Sequence, residues 1–208
     1  MNAPHAPRRA LILVDVQQEY FDGPLEVRYP PREESLEHIL AAIDTAEQHG
    51  IPIAAVQHGY PAGSPVFAEG SEGQRLHPAV ADRVGEGWKR VSKTVASIFP
   101  ETDLNAWIED KGIDTITLVG YMTNNCIIGT AADAEPRGLA VEVLSDATGA
   151  VALSNDVGSV TAQQVHDTLM VLLHSNFAAV GTTAQWRSAI EAGEALGTSD
   201  LVSSATGG

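Results

Sequence analysis

Short apolar runs alternate with amphipathic stretches along the chain, and this alternation restricts the fold more than any other feature of the sequence. Continuous apolar runs such as "ALILVD" (10–15) and "IPIAAVQ" (51–57) are typical of strands that are buried on both faces. Between them, "EESLEHILAAIDTAEQHG" (33–50) has apolar residues at helical spacing and ends at a glycine. This pattern predicts a helix that connects two parallel strands.

The same pattern continues towards the C-terminus. Further strands are predicted at 89–93, 115–120, 139–146 and 177–182, and further helices at 102–112, 124–137, 161–175 and 183–196. Alternation of this kind is typical of an α/β fold with three layers, in which a parallel sheet is covered by helices on both faces. A long section rich in Gly and Pro, 58–89, interrupts it, and loops of this length are usually functional.

The length of 208 residues fits one domain with a full hydrophobic core, and we predict a single domain over 1–208 with flexible tails at 1–8 and 197–208. The formal net charge of −15 disfavours nucleic acid and anionic membranes as partners, because their phosphates would be repelled. A single cysteine, with no apolar run long enough for a signal peptide or a membrane span, indicates a reducing, cytoplasmic compartment.

Three polar residues follow predicted strands at the carboxyl edge of the sheet, where α/β proteins bind their ligands. Asp15 ends the first strand, Lys93 ends the third, and Cys126, the only cysteine, opens the helix after the fourth. A thiol at a helix N-terminus is expected to have a lowered pKa, and an adjacent carboxylate could act as its general base. The alternative roles are ordinary ones: a buried apolar thiol, a turn carboxylate and a surface lysine.

The stretches "LILVDVQQEYF", "VSKTVASIFPETDL" and "GYMTNNCIIGTAADAEPRGLAVEVLSDAT" resemble the isochorismatase-like cysteine hydrolases, over about residues 8–182. That superfamily includes nicotinamidases and N-carbamoylsarcosine amidohydrolases. The resemblance implies a six-stranded, mostly parallel sheet flanked by helices. It also implies that Asp15, Lys93 and Cys126 form a catalytic triad.

The resemblance further implies an oxyanion hole formed by the backbone N–H groups of Met122 and Cys126. It is expected to be arranged by a cis peptide bond between Tyr121 and Met122. Thr123 is expected to help fix this loop. Related proteins form dimers or tetramers, so the resemblance also implies a homo-oligomer.

Nicotinamidases carry an Asp-x-His pair after the second strand and bind a divalent metal there. The matching stretch here, "AVQHGYPAGS", keeps His58 but offers no carboxylate. His77, in the loop stretch "RLHP", is a possible second imidazole ligand. Two histidines without an acid make a poor zinc site, so no metal and no other cofactor is expected. His58 is instead predicted to line the pocket as a hydrogen-bonding group.

The remaining pocket residues are predicted from their positions beside these motifs, although each could equally serve as core or loop packing. Together with His58, the predicted substrate-binding set is Gln17, Tyr20, Phe21, Tyr60, Phe67, Phe99, Tyr121 and Asn125.

The predicted function is hydrolysis of an amide, carbamoyl or lactam C–N bond in a small molecule, through a thioester on Cys126. Two alternatives stay open: a vinyl ether hydrolase of the isochorismatase type, and an isochorismatase-like binding module without turnover. The first is disfavoured by the cysteine, and the second by the intact Asp, Lys and Cys set. A nucleotide-binding protein is disfavoured because "DVQQEYFDG" follows the first strand in place of a glycine-rich phosphate loop.

Overall fold

A computed structural model describes residues 6–207 of the chain. Along it follow the strands β1 (Arg9–Val14), β2 (Ile53–His58), β3 (Lys89–Lys93), β4 (Thr115–Tyr121), β5 (Ala140–Gly149), β6 (Leu153–Asn155), β7 (Gly158–Val160) and β8 (Ala179–Gly181). The α-helices are α1 (Arg32–Gln48), α2 (Pro78–Ala81), α3 (Leu104–Asp110), α4 (Ile128–Ala134), α5 (Ala162–Leu172), α6 (Thr183–Ala192) and α7 (Leu201–Thr206). Short 3₁₀ segments span Gln18–Tyr20 and Glu135–Arg137, and π-helical turns span Thr123–Ile127 and Leu173–Phe177.

The central sheet has six strands in the order β3-β2-β1-β4-β5-β8, and every neighbouring pair is parallel. The predicted α/β fold with a six-stranded sheet is therefore confirmed. The strand order reverses direction at β1, with β2 and β3 on one side and β4 on the other. A reversal of this kind opens a crevice at the carboxyl ends of the strands, next to β1 and β4.

Both faces of the sheet are buried, as the continuous apolar runs predicted. Within β1, Ile12 and Val14 belong to one core cluster, and Leu11 and Leu13 belong to the other. Helices α3, α4 and α5 contribute to the first cluster, whereas α1 and α6 contribute to the second. The sheet is thus the middle of three layers.

Strands β1 and β4 approach each other closely at their carboxyl ends, and Gly120 is the residue that permits this. It pairs with Val14, and a Cβ atom built on Gly120 would lie 2.1 Å from the carbonyl oxygen of Val14. Its φ of 102° also lies in a region that L side chains rarely adopt. Any other residue here would push apart the two strands that carry Asp15 and the loop of Cys126.

A buried ion pair fastens β1 to β5 at the opposite end of the sheet. Arg9 donates to both carboxylate oxygens of Glu142, at 2.9 and 2.8 Å, and both side chains are buried. The same carboxylate accepts hydrogen bonds from the Thr117 hydroxyl, the Trp186 indole N–H and the Leu196 backbone N–H. Because all partners are satisfied, this network holds β4, α6 and the C-terminal segment against the sheet.

Three local features differ from the predictions. The helix predicted at 124–137 begins as a π-helical turn, and its α-helical part is limited to Ile128–Ala134. The two short exposed strands β6 and β7 form an antiparallel hairpin that was not predicted. The tail predicted to be flexible carries α7, whose first N–H groups are capped by the Asp200 carboxylate. The other predicted tail includes residues 1–5, which lie outside the described residues.

Among residues 6–207, no helix combines the length and the apolar character that a membrane crossing requires. The prediction of a single domain over the whole chain stays a prediction.

Candidate active site

The three residues predicted as a triad meet at the carboxyl edge of the sheet. Asp15 directly follows β1, Lys93 is the last residue of β3, and Cys126 lies in the π-helical turn after β4. The Lys93 Nζ atom lies 2.6 Å from Asp15 Oδ2 and 3.2 Å from Cys126 Sγ. All three side chains are almost completely buried. The ammonium group of Lys93 therefore connects a carboxylate and a thiol in a sealed site.

Lys93 contacts two further acceptors. Its Nζ atom lies 2.8 Å from His58 Nδ1 and donates to the Val95 carbonyl oxygen at 3.1 Å. His58 is the register partner of Lys93 in the neighbouring strand β2, which explains why the two side chains meet. The lysine thus reaches across β2 towards Asp15, with its charge surrounded by acceptors.

The contact with Lys93 determines the protonation state of His58. An ammonium group has no lone pair, so Nδ1 must accept the hydrogen bond and the ring proton lies on Nε2. Burial, followed by the charge of Lys93, lowers the pKa of His58 to about 4. The ring is therefore neutral at physiological pH. Its Nε2 atom is buried and has no hydrogen-bond partner among the described residues.

The pKa values of the carboxyl and the thiol are both raised. Burial raises the pKa of Asp15, although the charge of Lys93 opposes this. Burial and then the charge of Asp15 raise the pKa of Cys126 to about 12, and Lys93 only partly offsets them. The expected lowering of the thiol pKa by a helix N-terminus is therefore wrong for this site. The thiol is neutral in the free protein and needs a base at the moment of reaction.

The pKa of Lys93 is raised as well. Burial acts to lower it, but the charge of Asp15 and the hydrogen bonds to Asp15 and Cys126 outweigh burial. Lys93 therefore stays positively charged over the whole physiological range.

The same site holds the one group of three potential metal ligands found among residues 6–207. Ligand atoms of Asp15, His58 and Cys126 lie within 4.8 Å of one another. However, the Lys93 ammonium lies within 3.2 Å of an atom of each residue, so the place of a cation is already taken. His77 is not part of this group: its Nδ1 atom accepts from the Ala79 N–H, and its ring packs on Phe21 at 4.3 Å. The donor set therefore fits a metal poorly while Lys93 is present.

Aromatic rings cover the triad on one side. The ring of Phe67 lies 5.4 Å from that of Tyr20 and 5.1 Å from that of His58, and the ring of Tyr60 lies 4.6 Å from His58. The ring centre of Tyr121 also lies 5.4 Å from that of Tyr20. Four predicted pocket residues from three separate parts of the chain, Tyr20, His58, Tyr60 and Phe67, thus form one aromatic wall.

Other residues of the predicted binding set have different surroundings. Both ends of the Gln17 amide are used by the backbone, because Nε2 donates to the carbonyls of His58 and Gln74 and Oε1 accepts from the His58 N–H. Gln17 therefore positions His58. Phe99 lies outside the aromatic wall and is covered by the Arg137 guanidinium, which is 4.4 Å from the ring centre. Asn125 is exposed.

Two further predicted residues lie behind the wall. The Tyr121 hydroxyl is 2.7 Å from the Ser35 hydroxyl of α1, which directs it towards the core. Phe21 packs edge-on against Tyr121 at 5.7 Å and also contacts His77. Tyr121 and Phe21 therefore support the aromatic wall. A direct contact of either residue with a substrate stays a prediction.

The loop before Cys126 contains the expected cis peptide bond between Tyr121 and Met122. Thr123 is buried, and its hydroxyl lies 3.0 Å from His166 Nδ1 of α5, which fixes the loop as expected. The assignment of the Met122 and Cys126 N–H groups to an oxyanion hole stays a prediction.

Sequence reasoning overlooked two features near the thiol. Asp15 and Phe67 both have positive φ values, of 51° and 49°, which are uncommon for residues other than glycine and concentrate at functional sites. Asn124, next to the predicted Asn125, has a buried Oδ1 atom without a partner among the described residues. The doublet "NN" gave no signal of which amide turns inward.

Comparison with known proteins agrees with the fold. Residues 9–185 match the family model of the isochorismatase domain. The secreted isochorismatase effector Isc1 of Verticillium dahliae is 32% identical over 155 residues, which cover 74% of this chain and 77% of the effector. The nicotinamidase/pyrazinamidase of Mycobacterium tuberculosis is 28% identical over 170 residues, which cover 73% of this chain and 91% of that enzyme.

Among solved structures, an isochorismatase-type protein from Burkholderia xenovorans LB400 superposes with a TM-score of 0.94. It is 44% identical, and the match covers 97% of this chain and 96% of that one. The chain belongs to the isochorismatase family. It is a hydrolase, as predicted.

Proposed function

We propose that this hydrolase is a cysteine-dependent amidohydrolase that cleaves an amide, carbamoyl or lactam C–N bond of a small molecule. The observation that carries the proposal is the single ammonium group of Lys93 between the Asp15 carboxylate and the Cys126 sulfur. A vinyl ether hydrolase has no need of a thiol in this position. The name of the mycobacterial relative, an amidase, supports the same class of bond.

The pKa pattern supports the roles proposed for the two acidic groups. The thiol is too weak an acid to ionise alone, and the raised pKa of Asp15 makes its carboxylate a stronger base than an exposed one. Asp15 therefore takes the proton from Cys126 as the sulfur attacks the carbonyl carbon. Lys93 stabilises the negative charge on whichever of the two groups carries it.

The reaction then proceeds in two halves. The S–C bond forms, the negative charge moves to the carbonyl oxygen, and the N–H groups of Met122 and Cys126 are proposed to bind it. When the C–N bond breaks, the leaving nitrogen takes the proton from Asp15, which leaves a thioester on Cys126. A water molecule gives a proton back to Asp15 and attacks the thioester. The S–C bond then breaks, the acid product leaves, and the proton returns from Asp15 to the thiolate sulfur.

No cofactor has a role in this scheme, because the Lys93 ammonium supplies the positive charge that a metal would otherwise provide. The absence of a cofactor is part of the proposal. Two further predictions accompany it, a homo-oligomer and a cytoplasmic location. Light scattering on the purified protein tests the first, and fractionation of the source cells tests the second.

The proposal is tested with a panel of primary amides, N-carbamoyl compounds and lactams, with ammonia release and product mass as readouts. We expect Cys126→Ala to abolish turnover while the far-UV circular dichroism spectrum stays that of the wild type, since one small side chain is lost. Asp15→Asn removes the proposed general base and should also abolish turnover. Its matched control, Asp156→Asn, is an exposed change on the β6–β7 hairpin and should not. Full turnover by Cys126→Ala on any accepted substrate would show that the cysteine mechanism is wrong.

A further inference from the structure

A cavity that is lined in part by Phe67 lies apart from the triad, and none of the three triad residues lines it. Its volume is about 380 Å³, which is within the range of small-molecule sites. Part of its lining is acidic, formed by Glu19, Asp22 and Glu72. Another part is apolar, formed by Pro65, Val66 and Phe67. None of these residues has a role in the proposed reaction, apart from the contact of Phe67 with the aromatic wall.

Glu19 is the unusual member of this lining because its carboxylate is buried and forms no ion pair with the residues that the structure describes. The residue is only 4% exposed. Its Oε2 atom accepts a long hydrogen bond of 3.3 Å from the Phe67 N–H, and its Oε1 atom has no partner among residues 6–207. Buried carboxylates are normally paired, since an unpaired charge in a protein interior is costly.

A second unsatisfied acceptor lines the same cavity. The Gln18 amide donates to the Asp22 carboxylate at 3.3 Å, which leaves its Oε1 atom as an acceptor, and this atom is buried without a partner in the described part of the chain. Native proteins leave few buried polar atoms unsatisfied. Within residues 6–207, the Oε1 atoms of Gln18 and Glu19 both lack a hydrogen-bond donor, which indicates a ligand that is rich in N–H groups.

The backbone around Glu19 is shaped to leave room for its carboxylate. Cβ atoms built on Gly73 and Gly23 would lie 2.4 Å and 2.5 Å from its two oxygens. Side chains at either position would fill the space that the carboxylate occupies. The sequence therefore keeps a buried acid at this wall, where a neutral residue would be easier to bury.

We propose that this cavity is a binding site for an organic cation, an alkylammonium or guanidinium group whose N–H atoms satisfy Glu19 and Gln18. The apolar side, formed by Pro65, Val66 and Phe67, would pack against the carbon chain of that cation. An inorganic metal ion fits less well. Among the described residues, the only group of three converging His, Cys, Asp or Glu ligands lies at the triad.

The cation could be part of the substrate or a separate molecule. Phe67 bears on this question because it lines the cavity and also belongs to the aromatic wall. The ring of Phe67 borders this cavity and also lies 5.4 Å from Tyr20 and 5.1 Å from His58 in the aromatic wall. A substrate with a distal amine could therefore span from Cys126 past Phe67 to Glu19. A separate amine could occupy the cavity alone. The spanning arrangement rests on the proposed function, whereas the cavity does not.

Equilibrium binding tests the cavity without any turnover. Ligand-observed NMR titrations of n-butylammonium chloride and 1-butanol would be made at constant ionic strength, with the Cys126→Ala protein as the host. We expect saturable binding of the ammonium and at least about tenfold weaker binding of the alcohol, since hydrogen bonds to a charged group contribute roughly 1.5–3 kcal/mol. Equal or absent binding of the two probes would overturn the proposal.

Variants locate the site. Glu19→Gln keeps the shape and the acceptor for the Phe67 N–H, and it should weaken butylammonium at least about tenfold. Glu69→Gln makes the same charge change at an exposed position of the loop that carries Phe67, and this variant should bind as the wild type does. If Glu19→Gln does not fold, Ala68→Leu fills the cavity from another wall and should also prevent binding. Unchanged affinity in a folded Glu19→Gln or Ala68→Leu protein would contradict the proposal.

Turnover then distinguishes the two sources of the cation. Active enzyme would be compared on 6-aminohexanamide and on hexanamide, in the wild type and in Glu19→Gln. A higher kcat/KM for the amino compound that disappears in Glu19→Gln supports a substrate-borne cation. Butylammonium binding without such a preference supports a separate amine ligand. If no amide, N-carbamoyl compound or lactam of the panel is turned over while butylammonium binds, the proposed function fails and the cation site stands.

Discussion

The high thiol pKa of Cys126 gives the sharpest prediction, because it reverses what the sequence suggests. With a pKa of about 12, about one thiol in ten thousand is ionised at pH 8, compared with about one in four for an unperturbed thiol. A more basic thiolate is also more nucleophilic, which recovers part of the difference. We therefore expect iodoacetamide to label the folded protein at least about two orders of magnitude more slowly than a free cysteine at pH 8, and limited access to the buried thiol slows it further.

Intact-protein mass spectrometry measures this rate directly, because the only possible thiol adduct lies on Cys126. Burial slows access at every pH by the same factor, whereas the pKa determines how the rate changes with pH. We expect the rate to rise about tenfold for each pH unit between pH 7 and 10.5, without a plateau. Circular dichroism at each pH confirms that the protein stays folded.

Asp15→Asn tests the physical cause. The charge of Asp15 is the second contribution that raises the thiol pKa, after burial, so its removal should shift the labelling profile to lower pH. Asn also tolerates the positive φ of 51° at this position. Asp156→Asn should leave the profile unchanged. A wild-type plateau with a midpoint below pH 9, or an Asp15→Asn profile that does not move, would refute the electrostatic reasoning.

Two stability predictions follow from the sheet and are checked by urea unfolding. Arg9→Ala leaves the buried Glu142 carboxylate without its cation and should lower the free energy of unfolding by about 3–5 kcal/mol. The control, Arg8→Ala, breaks a partly exposed pair with Asp114 and should lower it by less than about 1 kcal/mol. Similar losses in both variants would argue against a role for burial. Gly120→Ala places a Cβ atom 2.1 Å from the Val14 carbonyl oxygen and should lower the free energy of unfolding by more than about 3 kcal/mol, while Gly87→Ala, with open space around it, should cost below about 1 kcal/mol. A well-folded, fully stable Gly120→Ala protein would show that β1 and β4 can separate without loss.

The fold, and the placement of Asp15, Lys93 and Cys126 at one edge of the sheet, could be predicted because each depends on local signals in the sequence. Five apolar runs and the short polar stretch "KRVSK" (89–93) gave the six predicted strands, and all six belong to the main sheet. The rule that ligands bind at the carboxyl ends of strands selected Asp15, Lys93 and Cys126. The hairpin β6–β7 escaped prediction because its strands have three residues each and are exposed, which leaves no apolar pattern. The helix α7 had a signal, the Asp200 cap, but its short polar sequence outweighed it.

The electrostatics of the site could not be predicted in the same way, because they depend on burial by distant parts of the chain. The helix position of Cys126 suggested an acidic thiol, yet Tyr20 and Phe67 help to exclude water from the site, and burial has the larger effect. The amide of Gln17 likewise looked available for a substrate. Only the folded loop shows that His58 and Gln74 already use it.

The geometry around Lys93 has a consequence for how charge moves during a reaction. Its ammonium group carries three hydrogens, but four acceptors surround it: Asp15, His58, Val95 and Cys126. One acceptor is therefore always served less well than the others. In the proposed mechanism, negative charge passes from the carboxylate to the sulfur, and a small rotation of the ammonium about its own axis would redirect a hydrogen to the new anion. The electrostatic support follows the charge while the lysine side chain and the backbone stay where they are.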